Sequence, residues 1–273
     1  MEPASLENLH VLYQSTHFIV VNKHWDIRID SKMWFCHQLD FSTSGALCVA
    51  LNKAAAGRAY RCFKDRLVTK AYLALLRGSV EKLKTTLDFA IGKNTSQGKT
   101  HMMCIEGTEG CENPKPCQTE LTVLEYGLYD GDPVTKVLLQ PLTGRTHQLR
   151  VHCSAIGHPI VGDFTYSLRT DGAPYRMMLH AYLLRIPLED EPICVTAPDP
   201  FLPSVDPKWV SQCLLQPLEG ALDGLLGCGL APGSQGLESQ STGEEEETNS
   251  KVSMETEEQR AQCQQWLCEW ALH

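Results

Sequence analysis

No apolar run in this chain approaches the length of a membrane span, so a helical membrane anchor is not expected. Its first residues, MEPASLENLHVLYQ, hold neither a charged segment followed by an apolar one nor an Arg-rich amphipathic pattern. A secretory or organellar leader is therefore not expected either. Twelve cysteines are scattered along the chain without a paired C-x-x-C spacing. Reduced thiols in the cytoplasm, the nucleus or both are the expected state. Zinc is the competing reading, because Cys104, Cys111 and Cys117 lie close together and Cys263 and Cys268 fall near the end. Without the ligand template of a zinc site, no metal is expected. A Gly-rich phosphate loop and internal repeats are lacking too.

What is present bounds the class. Hydrophobic residues make up 42% of 273, enough to bury a real core. The formal charge of −9 looks wrong for a partner of nucleic acid, but it is unevenly placed. From Ala221 to His273 there are ten acidic residues against two basic; the rest of the chain has 23 against 22. The part that should fold is near neutral, and its Lys and Arg side chains are numerous enough to line one groove.

Alternation and turn residues predict strands over HVLYQ and HFIVVNK, joined at Ser15-Thr16, and over GALCVAL at 45–51. A helix is predicted over 53–66 with Ala56, Ala59, Tyr60 and Phe63 on one side. Strands follow at 69–78, at LTVLEYGLY and at TKVLLQPL, the last two flanking a turn at Asp130-Gly131-Asp132-Pro133. THQLRVHCSAI, 146–156, is predicted as a helix, and MLHAYLLRI, 178–186, as a closing strand. Strands dominate without regular β-α alternation, so the expected class is α+β with a mixed, largely antiparallel sheet. The expected domain is 1–205. Residues 206–273 form an acidic tail, predicted mostly disordered from its Gly/Ser/Glu content. Trp266, Leu267 and Trp270 stand at helical spacing near its end. They fit either a short helix that docks on a protein partner or on the core, or a frayed tail.

The stretch FCHQLDFSTSG places Asp40 at the mouth of an apolar strand. By itself such an aspartate fits a turn cap as well as a reactive group. A second stretch, PLTGRTHQLRVH, puts His147, Arg150 and Ser154 at i, i+3 and i+7, aligning polar groups along one helical line. A helix that only packs would use Leu149, Val151 and Ile156 instead.

Together the two stretches resemble the RluA-like family of pseudouridine synthases, which carry H-R-L-D-x-x-T-S-G and, later, G-R-[TS]-H-Q-L-R-V-H. Here they read His37-Gln38-Leu39-Asp40-Phe41-Ser42-Thr43-Ser44-Gly45 and Gly144 to His152. Lys70-Ala71-Tyr72-Leu73-Ala74, Gly157-His158-Pro159, Gly162-Asp163-Phe164-Thr165-Tyr166 and Leu179-His180-Ala181 agree as well. The resemblance spans about residues 9–190 and implies conversion of uridine to pseudouridine in structured RNA, with the target base flipped from its stack. It assigns catalysis to Asp40, Tyr72 and Arg150: the carboxylate acts on the nucleotide, the tyrosine stacks on the base and manages a proton, and the guanidinium keeps the carboxylate ionised. Gln38, Thr43, Arg145, His147, Lys70 and Arg61 are the expected RNA contacts, with Lys53, Arg58, Lys64 and Arg66 beside them on or near one helix. The reaction is an isomerisation, so no cofactor is implied. His147, His152, His158 and His180 are expected to be hydrogen-bonded fold residues rather than metal ligands.

Two departures from the family pattern stand out. Gln38 replaces an arginine thought to fill the space of the extruded base, and carries no charge. Only residues 31–36 separate the strand region ending IVVNKHWDIRID from the HQLD motif, where the family has a few dozen; six residues span at most about 20 Å. The shortened connection is expected to cost the Asp40 loop support. The rival reading is therefore an RNA-binding or RNA-chaperone module on an impaired synthase fold. A monomer is expected, and the RNA class is left open.

Overall fold

The computed structural model describes residues 10–29 and 34–226. In chain order the elements are β1 (His10–Gln14), β2 (Phe18–Lys23), β3 (Trp34–Phe35), β4 (Ser44–Ala50), α1 (Lys53–Lys64), β5 (Thr69–Arg77), β6 (Lys84–Leu87), β7 (Ile91–Asn94), β8 (Met103–Ile105) and β9 (Cys111–Lys115). Then come β10 (Thr119–Tyr129), β11 (Asp132–Pro141), α2 (Gln148–Ala155), β12 (Leu179–Ile186), β13 (Ile193–Thr196), β14 (Trp209–Leu214) and α3 (Leu218–Leu226). The main sheet runs β1-β2-β4-β12-β5-β11-β10-β14, with β3, β6 and β13 paired at its sides; β8-β7-β9 make a second, small sheet. Among the described residues β4 and β12 pair parallel and every other ladder is antiparallel. This is the expected α+β class with a mixed, largely antiparallel sheet.

Local chemistry sets the boundaries. Asp130 and Gly131 both have positive φ, 53° and 88°, and join Tyr129 to its partner Asp132. That is a two-residue hairpin loop whose twist suits the flanking strands. Helix α1 starts at Asn52, whose side chain accepts the Ala55 N–H at 2.9 Å, and ends with Arg61 and Lys64 in its last turn. Its buried side is Ala55, Ala59 and Cys62, not the line through Tyr60, which is 64% exposed. Small side chains let α1 sit close on Phe18, Val20, Ala46 and Cys48, with Ala56 and Phe63 packed at the edge of the contact and Tyr60 turned outward. All seven residues of β4 are buried, as suits a strand covered on both faces.

Glycine 45 permits the one parallel contact. It lies opposite Ala181 with φ of +108°, and a Cβ there would stand 2.3 Å from the Ala181 carbonyl oxygen. Only a residue without a side chain allows β4 and β12 to approach so closely.

Two expectations need correction. The Asp40 loop does not lose its support. Cys36 N–H donates to Cys48 O at 3.0 Å, Cys48 N–H to His37 Nε2 at 3.1 Å and Thr43 N–H to Asp40 O at 3.0 Å. The buried Lys23 ammonium, 1% exposed, donates to the carbonyls of His24, Ile27 and Phe41 at 2.8–3.0 Å, which spans the shortened connection from β2 to the Asp40 loop. Nor does order stop at residue 205. Strand β14 extends the sheet beside β10, and Trp209, 1% exposed, packs in the main core with Leu222 of α3. The prolines at 200, 203 and 207 make a turn ahead of a further strand rather than the start of a tail. The acidic segment and the Trp266–Trp270 spacing lie outside the described residues.

Candidate active site

A cleft of about 620 Å³ opens between the His37–Asp40 segment with Thr43, the turn after α1, strand β5 and the Pro141–Arg150 segment. Its lining includes Gln38, Asp40, Thr43, Lys70, Tyr72, Arg145, His147 and Arg150, so eight of the nine expected residues meet there. Arg61 does not. It is exposed on α1, where only the end of the helix reaches the cleft through Lys64 and Arg66. Lys53 and Arg58 stay away too, Arg58 lying 5.9 Å from the ring centre of Phe18.

The two halves of the site come from opposite ends of the folded chain. Asp40, 31% exposed, ends the loop before β4, and Arg150 comes from the first turn of α2. The guanidinium Nη1 donates to Asp40 Oδ2 at 3.1 Å. Its Nε and Nη2 donate to both oxygens of Asp163, at 2.7 and 2.9 Å. The Asp163 side chain is fully buried and also accepts the Tyr166 N–H at 3.1 Å. Burial opposes the charge on Arg150, but the hydrogen bonds and charge of Asp163, then Asp40, outweigh it and hold its pKa above the ordinary arginine value. The expected cation is there, and it is shared between two carboxylates.

The polar line on α2 has a structural cause. His147, Arg150 and Ser154 all bind the 163–166 loop: Arg150 at Asp163, Ser154 Oγ at the Tyr166 carbonyl (2.9 Å), His147 Nδ1 at the Tyr166 hydroxyl (2.8 Å). Tyr166 also lies under the guanidinium, ring centre to Cζ 4.9 Å, and its hydroxyl accepts the Met103 N–H from β8 at 2.9 Å. His147 Nδ1 and the Tyr166 hydroxyl thus share one hydrogen bond whose direction follows the imidazole tautomer. Burial keeps the His147 pKa below the usual histidine value, against the opposing charge of Asp40. His147 itself is the N-cap of α2 with φ of 54°. Gln148, 4% exposed, fixes the loop ahead of it by accepting from Thr143 Oγ and Arg145 N–H and donating to Gln118 O and Thr119 Oγ.

Tyr72 sits on β5, where Ala181 and Leu139 flank it in register. Burial, then the charge of Asp40, raise its hydroxyl well above the normal tyrosine value, so it stays protonated at neutral pH. Gln38 is exposed at the rim, between the cleft and a neighbouring hollow of about 280 Å³ lined by Arg28, Ile29, Leu39 and Phe41. The remaining histidines are held as fold residues: His152 by Thr119 and Phe89, His158 by the Arg77 carbonyl, His180 by Ser44. Asp163 and Tyr166 are what the residue pattern alone did not offer as site members. Their signal was the GDFTY stretch, visible only through the family resemblance.

Fold and cleft define an RNA pseudouridine synthase. The model of the RNA pseudouridylate synthase family matches residues 12–155, and the chain belongs to that family. Among individual relatives, it is 68% identical to the RNA pseudouridylate synthase domain-containing protein 1 of Danio rerio, covering 100% of both chains. That alignment spreads 273 residues over 299 positions, so the relative carries sequence this chain lacks. The dual-specificity RNA pseudouridine synthase RluA of Escherichia coli K12 is 35% identical over 65% of this chain and 86% of its own. A solved structure titled human RNA pseudouridylate synthase domain containing 1 superposes with a TM-score of 0.80 at 61% identity, covering 83% of this chain and 98% of that one. Among the described residues no helix is long and apolar enough to cross a membrane.

Proposed function

We propose that Asp40 is the carboxylate that acts on a flipped uridine, held ionised and aimed by Arg150, with Tyr72 against the base. The isomerisation breaks the N1–C1′ bond and joins C5 to C1′; the proton leaving C5 balances the one gained at N1, and nothing external is consumed. The carboxylate serves either by adding to the ring or by acting at C1′ and the sugar. Tyr72, a protonated phenol, is a donor or a stacking surface in the resting enzyme and not a base.

The observation that carries this reading is the Arg150–Asp40 pair inside a cleft whose charged lining is one carboxylate and five Lys or Arg side chains: Lys64, Arg66, Lys70, Arg145 and Arg150. A polyanion fits there although the whole chain is at −9. An inactive scaffold was suggested by Gln38 and by the shortened connection before Asp40; Lys23 ties the Asp40 loop down, which answers the second of these. Structured RNA is the substrate, its uridine extruded from a loop where unstacking costs only a few kcal/mol. The protein acts as a monomer in the cytoplasm or nucleus, and a partner protein is met through the C-terminal tail.

The test is a pseudouridine map of total RNA from cells lacking the protein, complemented with wild type or Asp40→Ala. The substitution removes every site restored by the wild type and leaves RNA binding largely intact. Equal modification by both proteins ends the assignment.

A further inference from the structure

Lys70 is a half-buried cation without an anion. It leaves β5 two residues before Tyr72, so both side chains stand on one face of the strand, roughly 7 Å apart along it, and both line the cleft. Its ammonium lies 5.9 Å from the ring centre of Phe63. Among the described residues no carboxylate or hydrogen-bond acceptor pairs with it. The other buried cations near the site are all matched. Arg150 has Asp163 and Asp40, Lys23 has three carbonyl oxygens, and Arg176 has the Ser44 hydroxyl and the carbonyls of Met177 and Leu179.

Burial pushes the Lys70 ammonium below its ordinary pKa, with no neighbouring acid to restore it. Such a charge costs free energy in the empty protein and recovers it when an anion arrives. The surroundings leave room for one. The Gly144 backbone passes close to the ammonium, a Cβ built there standing 3.9 Å from Nζ, at ordinary contact distance. Arg145 follows directly, and α2 begins three residues later with its positive end on the same cleft.

We propose that Lys70, with Gly144 and Arg145 facing it, holds one RNA phosphate beside the flipped uridine, fixing the strand while Asp40 and Tyr72 engage the base. The proposal rests on the synthase reading and adds to it a single backbone position that is gripped.

The probe is a nine-nucleotide RNA with one central uridine among cytidines, made as a series with one phosphate at a time replaced by neutral methylphosphonate. Wild-type protein loses about tenfold in affinity at a single linkage next to the uridine, the size of one charge-assisted contact. Lys70→Met loses nothing further there, and its log-log salt slope is shallower by about 0.7, the single-strand increment for one phosphate. Its melting temperature holds or rises, since an unpaired charge has been removed. Coincident scans for the two proteins, an unchanged salt slope, a wild type that does not bind the probe or a fall in melting temperature overturns the proposal. Binding as described without modification of any cellular RNA would leave the phosphate site in place and remove the synthase role.

Discussion

Arg150 gives Asp163 two hydrogen bonds, at 2.7 and 2.9 Å, and Asp40 one, at 3.1 Å. The fully buried carboxylate thus fixes the plane of the guanidinium, and the half-exposed one meets a donor already in position. Asp163 positions Arg150, and Arg150 in turn meets Asp40. Asp163→Asn keeps the side-chain shape but weakens that grip. The expected result is a fall in single-turnover rate of about a hundredfold, the scale of a 1 Å misplacement, with RNA affinity within a few-fold of wild type. Equal losses in rate and affinity would assign Asp163 to substrate binding instead.

Gly45→Ala tests the parallel seam. A methyl group 2.3 Å from the Ala181 carbonyl oxygen, at φ of +108°, forces β4 away from β12. Destabilisation of several kcal/mol is expected, enough to cost soluble protein. Thermal melting and size-exclusion chromatography check it, and a variant melting within a few degrees of wild type contradicts the packing described above.

Acid should unfold the protein early. Burial, then the charge of Arg176, hold His180 at a pKa of about 3; burial, then Lys70, do the same for His37. In the unfolded chain both titrate near 6.5. Below that pH the unfolded state takes up protons that the folded state refuses, so stability falls as pH drops from 6.5 towards 3. The slope is about 1.4 kcal/mol per pH unit for each histidine. Above 6.5 these two groups contribute no pH dependence. A melting temperature that is constant between pH 7 and pH 5 excludes this account, and His180→Asn should flatten the slope.

Gln38→Arg adds a charge at the exposed rim. RNA affinity should rise several-fold at low salt, and the salt slope should steepen by about 0.7 if the new guanidinium meets a phosphate. Titrations at three salt concentrations decide between that and an arginine that stays in water.

The elements with a clean period were legible without coordinates: the β1–β2 hairpin, α1, β5, the β10–β11 hairpin, α2 and β12. Asp40 and Arg150 were legible as a pair only through the motif resemblance, since residue types alone allow a turn cap. What escaped had physical reasons. Strands β6 to β9 are only three to five residues long, too short for a period to show, and β9 carries Asn113 at φ of 48° and a proline, so no alternation marks it. Strand β14 is an edge with one buried residue, Trp209, behind three prolines. On α1 the expected face held at Ala59, with Ala56 and Phe63 at its margin, and failed at Tyr60, because the small residues Ala55 and Cys62 meet the sheet instead. Asp163 works through a contact made by the fold, and no local periodicity announces such a residue.

Strand β12 lies between β4 and β5, although the chain makes those two first and β12 some hundred residues afterwards. A nascent polypeptide therefore leaves the ribosome with a slot in its sheet and must keep its flanking edges from mispairing until residue 186 has emerged. Chaperone demand during synthesis should be concentrated in that window, and a message truncated within it would yield a product whose β4 and β5 lack the strand that joins them.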